Sequence, residues 1–278
     1  MLRLRLATAA ILIPILAVVL WYGHPVLGLL IALIVLLAAA EAADLLRRAG
    51  MPVNGPVVIG LGLLAVGEAA LSANYGDVAL AVWVILVVVA CAVVSLTTSD
   101  MRQALLGWAG MVFGALYVGM LAFLLRISLT VVETGAEGRL AETLDPGRAW
   151  LLVLVLGVWA YDSLAYVTGR LIGRGHFFAQ ISPHKTLTGA LGGWIGAIVV
   201  CTLLGYAIGR PVEAMGVGVV LGLAAPVGDL SQSILKRAAG VKDSGQLIPG
   251  HGGMLDRVDS FIVAAPVVWL YLAAAGFV

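Results

Sequence analysis

The sequence predicts an all-α, polytopic integral membrane protein of about nine transmembrane helices, with its N-terminus in the cytoplasm. Three observations carry this reading. Of 278 residues, 62% are apolar and only 11% are charged, where soluble domains run at about 45–50% and about 25%. Nine stretches approach the roughly 20 apolar residues needed to cross about 30 Å of hydrocarbon. The basic residues fall mostly on alternate connections between those stretches. Net charge is +1, from 16 Lys and Arg against 15 Asp and Glu, so no nucleic acid or other polyelectrolyte partner is implied.

The apolar runs cover roughly 6–22, 26–43, 53–72, 78–96, 104–125, 149–169, 188–208, 214–235 and 259–277. The first follows Arg3 and Arg5 and contains Pro14. It reads as a retained helix and not a signal peptide, because it exceeds the usual signal length and no small-x-small cleavage pattern follows it. Gly23-His24-Pro25 separates it from the second run. Gly50-Met51-Pro52 ends the second, and Asn74-Tyr75-Gly76-Asp77 divides the third from the fourth. Glycine and proline interrupt helices at such points for steric reasons. With the N-terminus inside, nine crossings leave Arg3, Arg5, Arg47, Arg48, Arg102, Arg170, Arg174, Lys185, Lys236, Arg237, Lys242 and Arg257 in the cytoplasm. Only Arg126, Arg139, Arg148 and Arg210 lie opposite. The loop at about 126–148 reads as solvated.

Polarity shifts along the chain. Residues 1–148 read as a five-helix scaffold. Residues 149–278 read as the working part, with four helices and two polar cytoplasmic segments, 170–189 and 236–258. Cys91 and Cys201 sit in separate apolar runs and read as small core residues. Acids within apolar runs are costly and point to function. Glu68, beside Ser72 and Asn74, reads as a carboxylate reaching the interface. Asp162 and Asp229 lie toward the cytoplasmic ends of their helices. Ser233 and Lys236 follow Asp229 at i+4 and i+7, on one face.

The first polar segment contains Ser182-Pro183-His184-Lys185-Thr186-Leu187-Thr188-Gly189. Hydroxyls and free amides beside a positive charge at a helix start suit an anion, and a capped helix N-terminus explains them equally well. It is no Walker A loop, since no glycine-rich stretch precedes Lys185-Thr186. The second segment is denser. It holds Ser233, Lys236, Arg237, Lys242, Asp243, His251, Gly252, Gly253, Asp256, Arg257 and Asp259. Asp256 and Asp259 share a face if the last helix has begun. A positive-inside loop accounts for Lys236 and Arg237 but not for the acids, imidazole and paired glycines together. Carboxylates beside Lys and Arg suit Mg²⁺ with a polyphosphate, because Mg²⁺ takes few carboxylates plus phosphate oxygens and water.

The pattern Ser233-x-Leu235-Lys236-Arg237-x4-Lys242-Asp243-x-Gly245-x2-Ile248-Pro249-x-His251-Gly252-Gly253-x-Leu255-Asp256-Arg257-x-Asp259 resembles the signature of the phosphatidate cytidylyltransferase family, also called CDP-diacylglycerol synthases. Ser182 to Gly189 resembles a second family element, Ser-Pro-Lys-Lys-Thr-x-Glu-Gly, and Asp162, Ala165-Tyr166 and Gly169-Arg170 match its sixth run. The resemblance covers about 162–260. His184 stands where the family has Lys, and Thr188 where it has Glu.

The resemblance implies transfer of CMP from CTP to phosphatidate, with Mg²⁺ and room for a second cation, in a homodimer of the inner (cell) membrane whose site faces the cytoplasm. Both substrates suit that face: CTP is cytoplasmic, and phosphatidate holds its headgroup at the interface with its tails in membrane lipid. In this reading Asp229 and Asp256 bind the metal and are catalytic, Asp259 ligates or orients, and Asp162 is a further ligand or a partner for a Lys. Lys236, Arg237 and Lys242 hold the triphosphate or the leaving pyrophosphate. Ser182, Lys185, Thr186, Ser233 and Arg257 position phosphates, and His251 with Gly252-Gly253 shapes the nucleotide loop. Other readings are a cytidylyltransferase for an ether-lipid or isoprenoid phosphate, an ion-coupled transporter, a structural scaffold, and a CDP-alcohol phosphotransferase, whose multi-Asp helix is longer than Asp256-x-x-Asp259.

Overall fold

A computed structural model describes residues 14–131, 143–175, 182, 185–247 and 252–278. Among them the chain forms helices and no strand: α1 (Val26–Arg48), α2 (Gly55–Tyr75), α3 (Asp77–Ser95), α4 (Met101–Gly119), α5 (Phe123–Thr130), α6 (Pro146–Leu171), α7 (Leu187–Ala207), α8 (Pro211–Ala238) and α9 (Leu255–Ala274). A single 3-10 turn, Met120–Ala122, joins α4 to α5. Eight helical runs are long and apolar enough to cross a membrane, α4 and α5 counting as one of 30 residues. They are the second to ninth runs expected from the sequence. Of the first expected run, residues 14–22 are helical and the rest lies outside the described residues. Arg3, Arg5 and residues 132–142 lie outside them too; the start of the expected 126–148 loop is instead helical, within α5, with Arg126 and Ser128 buried.

The described runs overshoot their expected ends by a few residues where caps extend them. Asp145 Oδ1 accepts from the Arg148 amide at 2.9 Å and starts α6 before its apolar run begins. Asn54 Oδ1 likewise accepts from the Val57 amide, with Pro56 in the first turn of α2. Such caps satisfy backbone donors that have no partner within the helix.

The chain divides into two compact units whose boundaries fall inside helical runs. The first comprises residues up to Leu125 together with Leu235–Val258; the second comprises Arg126–Ile234 and Asp259–Val278. Residues 235–258, placed by sequence with the C-terminal part, therefore pack with the N-terminal helices.

In the first unit α1 packs on α2 and α4, and α2 on α3 and α4. Ala38, Ala39, Ala42 and Ala43 of α1 are all buried, a small-residue face at helical spacing that lets neighbours approach closely. On α3, Trp83, Val87, Cys91 and Ser95 face inward every fourth residue. Val78, Val82, Ile85, Val89 and Val93 lie exposed on the other side, an apolar stripe suited to lipid. The Trp83 indole donates to the Leu61 carbonyl at 2.9 Å. Glu68, expected at the interface, is buried instead, at 8% exposure.

In the second unit α6 packs closely along α7. A Cβ on Gly193 would stand 2.7 Å from the Tyr161 carbonyl oxygen, and one on Gly189 would stand 2.8 Å from that of Ala165. Gly189-x3-Gly193 is therefore the contact stripe, of the small-x3-small kind that lets membrane helices touch by backbone. The α8 backbone at Gly228 lies directly against Asp259 of α9. Two residues earlier, Pro226 lies inside α8 and cannot donate to the Gly222 carbonyl.

Candidate active site

Among the described residues, a polar cluster built from the expected site residues lies in each unit. In the first, Asp256 sits in the opening turn of α9 and is buried, at 9% exposure. Its Oδ1 accepts from Lys236 Nζ at 2.7 Å. Its Oδ2 accepts from the Ser244 amide at 2.8 Å, the Ser244 hydroxyl at 3.0 Å and the Gly253 amide at 3.1 Å. Reaching back three residues to Gly253, the carboxylate works as a capping-box acid does. A buried acid so engaged keeps its charge without bulk water, and it holds the Lys236 ammonium in one place.

The surprise in this cluster is Glu41, in the Ala-rich middle of α1. Its Oε1 accepts from the Met254 amide at 2.9 Å. Its Oε2 accepts from the Leu255 amide at 2.9 Å and from the Ser244 hydroxyl at 2.7 Å. Two orphan amides at the start of α9 are thus capped from another helix. The glycine pair makes room for this. Gly252 has φ +81°, in the left-handed region, and a Cβ there would stand 2.6 Å from Asp256 Oδ2. A Cβ on Gly253 would collide with Glu41 Oε2. Arg237 Nη1 donates to the Val241 carbonyl at 3.1 Å just past α8, while Lys242, Asp243 and Arg257 are exposed. His251, with Ile248, Pro249 and Gly250, lies outside the described residues.

In the second unit Lys185 forms an ion pair with Asp229, their side chains 26% and 33% exposed. Thr186 caps α7: its Oγ1 accepts from the Gly189 amide at 3.1 Å. Thr188, which stands where the family has Glu, ties the end of α6 to the start of α7. Its Oγ1 accepts from the Arg174 amide at 3.2 Å and donates to the Arg174 carbonyl at 3.3 Å. Ser182 is half-buried, and its carbonyl accepts from the Lys185 amide at 3.3 Å. Pro183 and His184 lie outside the described residues. Asp162 is exposed. Asp259 Oδ1 accepts from the Ser260 amide at 2.8 Å. Ser233 is buried and follows the fully buried Gln232.

The expected ligands Asp162, Asp229 and Asp259 thus belong to one unit and Asp256 to the other. Within neither unit do three or more described His, Cys, Asp or Glu side chains gather closely enough to enclose an ion. Mg²⁺ does not need such a cage, because it keeps water and takes one or two carboxylates plus substrate phosphate. Asp229, a third exposed and salt-bridged to a lysine, fits that habit. Asp256 fits less readily, since three donors already engage Oδ2 and Lys236 holds Oδ1.

Glu41 is the residue that sequence reasoning missed. Three positions on, Asp44 pairs with Arg47 and Arg48, so the stretch resembles an ordinary charged helix end. The available signal was an acid within an apolar helix, the same signal that singled out Asp162 and Asp229.

Residues 3–275 match the model of the cytidylyltransferase family. A motif carried by membrane helices and a match over nearly the whole sequence define the class: the chain belongs to the cytidylyltransferase family. It is 44% identical over 128 residues to a Synechocystis sp. protein named phosphatidate cytidylyltransferase, covering 44% of this chain and 43% of that protein. It is 39% identical over 179 residues to chloroplastic phosphatidate cytidylyltransferase 5 of Arabidopsis thaliana, covering 59% and 44%. A Staphylococcus aureus phosphatidate cytidylyltransferase is 38% identical over 134 residues, covering 47% and 52%. The chain spans about half the length of the curated relatives it matches.

Proposed function

We propose that this protein transfers the CMP group of CTP to phosphatidate, giving CDP-diacylglycerol and pyrophosphate, at the cytoplasmic face of the cell membrane. The observation that carries the reading is the family match over residues 3–275, with relatives named for this reaction. The polar clusters suit it. A phosphate oxygen of the lipid attacks the α-phosphorus of CTP; the new P–O bond forms as the bond to the β-phosphate oxygen breaks and pyrophosphate leaves. The lipid phosphate is already anionic near neutral pH, so the work is to bring two anions together and to hold charge on the leaving group.

Lys236, fixed by Asp256, and the exposed Arg237, Lys242 and Arg257 offer cations to the triphosphate and the pyrophosphate. Lys185 offers another beside Asp229. Thr186 uses its oxygen lone pair as the α7 cap and keeps its own hydroxyl proton to give to a phosphate; Ser182 and Ser233 are further hydroxyls for the same purpose. His251 with Gly252-Gly253 completes the nucleotide loop. Asp229, with Asp162 and Asp259, would hold Mg²⁺, which when bound supplies positive charge to phosphate oxygens. Asp256 holds Lys236 at Oδ1. A second cation and a homodimer belong to the same proposal.

The test is a conversion assay with labelled CTP and phosphatidate in mixed micelles, with Mg²⁺ and with EDTA. We expect labelled CDP-diacylglycerol and an equal amount of pyrophosphate with Mg²⁺, and neither with EDTA. Asp229→Asn should lower turnover by about 100-fold or more. Absence of any CTP-dependent lipid product from the wild-type protein overturns the reading.

A further inference from the structure

We propose that Glu41 is a positioning residue for the reaction: from within α1 it holds Ser244 and the start of α9 in the one arrangement that presents Lys236. The inference rests on the functional reading above and adds to it a residue outside the family motif. Glu41 accepts three hydrogen bonds, from Ser244 Oγ, Met254 N and Leu255 N. The sequence separations are 203, 213 and 214 residues, so only tertiary packing brings them together.

The path from Glu41 to Lys236 is short and continuous. Ser244 Oγ lies 2.7 Å from Glu41 Oε2 and 3.0 Å from Asp256 Oδ2. A hydroxyl has one proton, so Ser244 places that proton between two carboxylates and joins them. Asp256 Oδ1 then receives Lys236 at 2.7 Å. Gly245 and Gly253 both lie against the Glu41 carboxylate, a Cβ on Gly245 standing 2.7 Å from Oε1 and one on Gly253 colliding with Oε2. The two glycines are therefore the complement of Glu41. A neutral amide cannot replace this carboxylate. Glutamine brings an NH2 toward backbone N–H donors, so at least one donor loses its acceptor, and a buried donor left unmatched forces its segment to move. Displacement by about 1 Å near a reacting group costs on the order of 100-fold in rate.

The experiment compares wild type, Glu41→Gln, Glu41→Asp, Ser244→Ala and the Glu41→Gln/Ser244→Ala double variant. Asp44→Asn serves as control, because Asp44 is half-exposed and pairs only with Arg47 and Arg48 among the contacts seen. Two quantities are read: kcat and KM for CTP and phosphatidate, and hydrogen–deuterium exchange of the peptide 242–256. We expect Glu41→Gln to lose about 10–100-fold in kcat with KM for phosphatidate nearly unchanged. Exchange at Met254 and Leu255 should rise in the same variant. Glu41→Asp should recover part of the loss, and the double variant should be no worse than its weaker parent, because both act through one network. Asp44→Asn should match wild type in both readouts.

Unchanged exchange in Glu41→Gln overturns the contact. Raised exchange with kcat at the wild-type level overturns the positioning role and leaves Glu41 a structural cap. A wild-type protein that makes no CDP-diacylglycerol sinks the functional reading, and with it the role in the reaction. The exchange arm still decides, in that case, whether Glu41 holds the segment.

Discussion

Lys236 and Asp256 show what a single pair of side chains does in this protein. Their side chains are 13% and 5% exposed, so neither charge is stable there without the other. Lys236→Met leaves a buried carboxylate with a vacant acceptor, and breaking such a pair costs about 3–5 kcal/mol. We expect the variant to melt well below wild type in detergent and to lose cytidylyl transfer. Lys236→Met/Asp256→Asn separates the two effects. With the charge gone and an amide oxygen left to accept from the Ser244 and Gly253 amides, the double variant should regain much of the melting temperature while activity stays absent. Recovery of activity in the double variant overturns the role given to Lys236. At this scale the motif was legible as a cluster, because lysines, acids and paired glycines stand close in sequence. Its wiring was not legible: Asp256 pairs with Lys236, Asp229 pairs with Lys185, and Glu41 enters from far outside the motif.

Among the helices, α6 and α7 depend on absent side chains. Glycines at 189 and 193 bring the α7 backbone against carbonyl oxygens of α6, and the pair carries Thr186 at its cap and Asp162 near its end. Gly193→Val puts methyl groups where the Tyr161 carbonyl and the Ala165 side chain already stand. Overpacking of this kind costs about 1–3 kcal/mol, so thermal unfolding should shift down measurably. Gly60→Val is the control, since a Cβ at Gly60 meets nothing within 4 Å. An equal shift in both variants overturns the packing account. The helices themselves were legible from run length and turn residues. Their ends were less so, because Asp145 and Asp100 cap beyond the apolar runs and Asn54 caps inside one.

For the molecule as a whole, the open question is which way the helices run across the bilayer. Eight runs among the described residues have the length and composition to span, and the basic residues favour one orientation. Gln246 and Arg174 would then face the cytoplasm and Asn74 the opposite side, all three being exposed. Cysteines placed singly at these positions provide the test, since Cys91 and Cys201 are buried and stay silent. A membrane-impermeant thiol reagent applied outside intact cells should label Asn74→Cys and spare Arg174→Cys and Gln246→Cys. The inverse pattern overturns the orientation and the cytoplasmic site with it. Compactness groups residues 235–258 with the first 125.

By itself the sequence determined the helical membrane class, the order of the spans and the polar motif. Apolar run length and side-chain type act locally and do not depend on which helix lies next to which. Only the tertiary structure decided which carboxylate meets which cation, and that an acid in α1 caps α9. Those partners are set by packing between residues as much as 214 positions apart, and no local pattern records the distance between them.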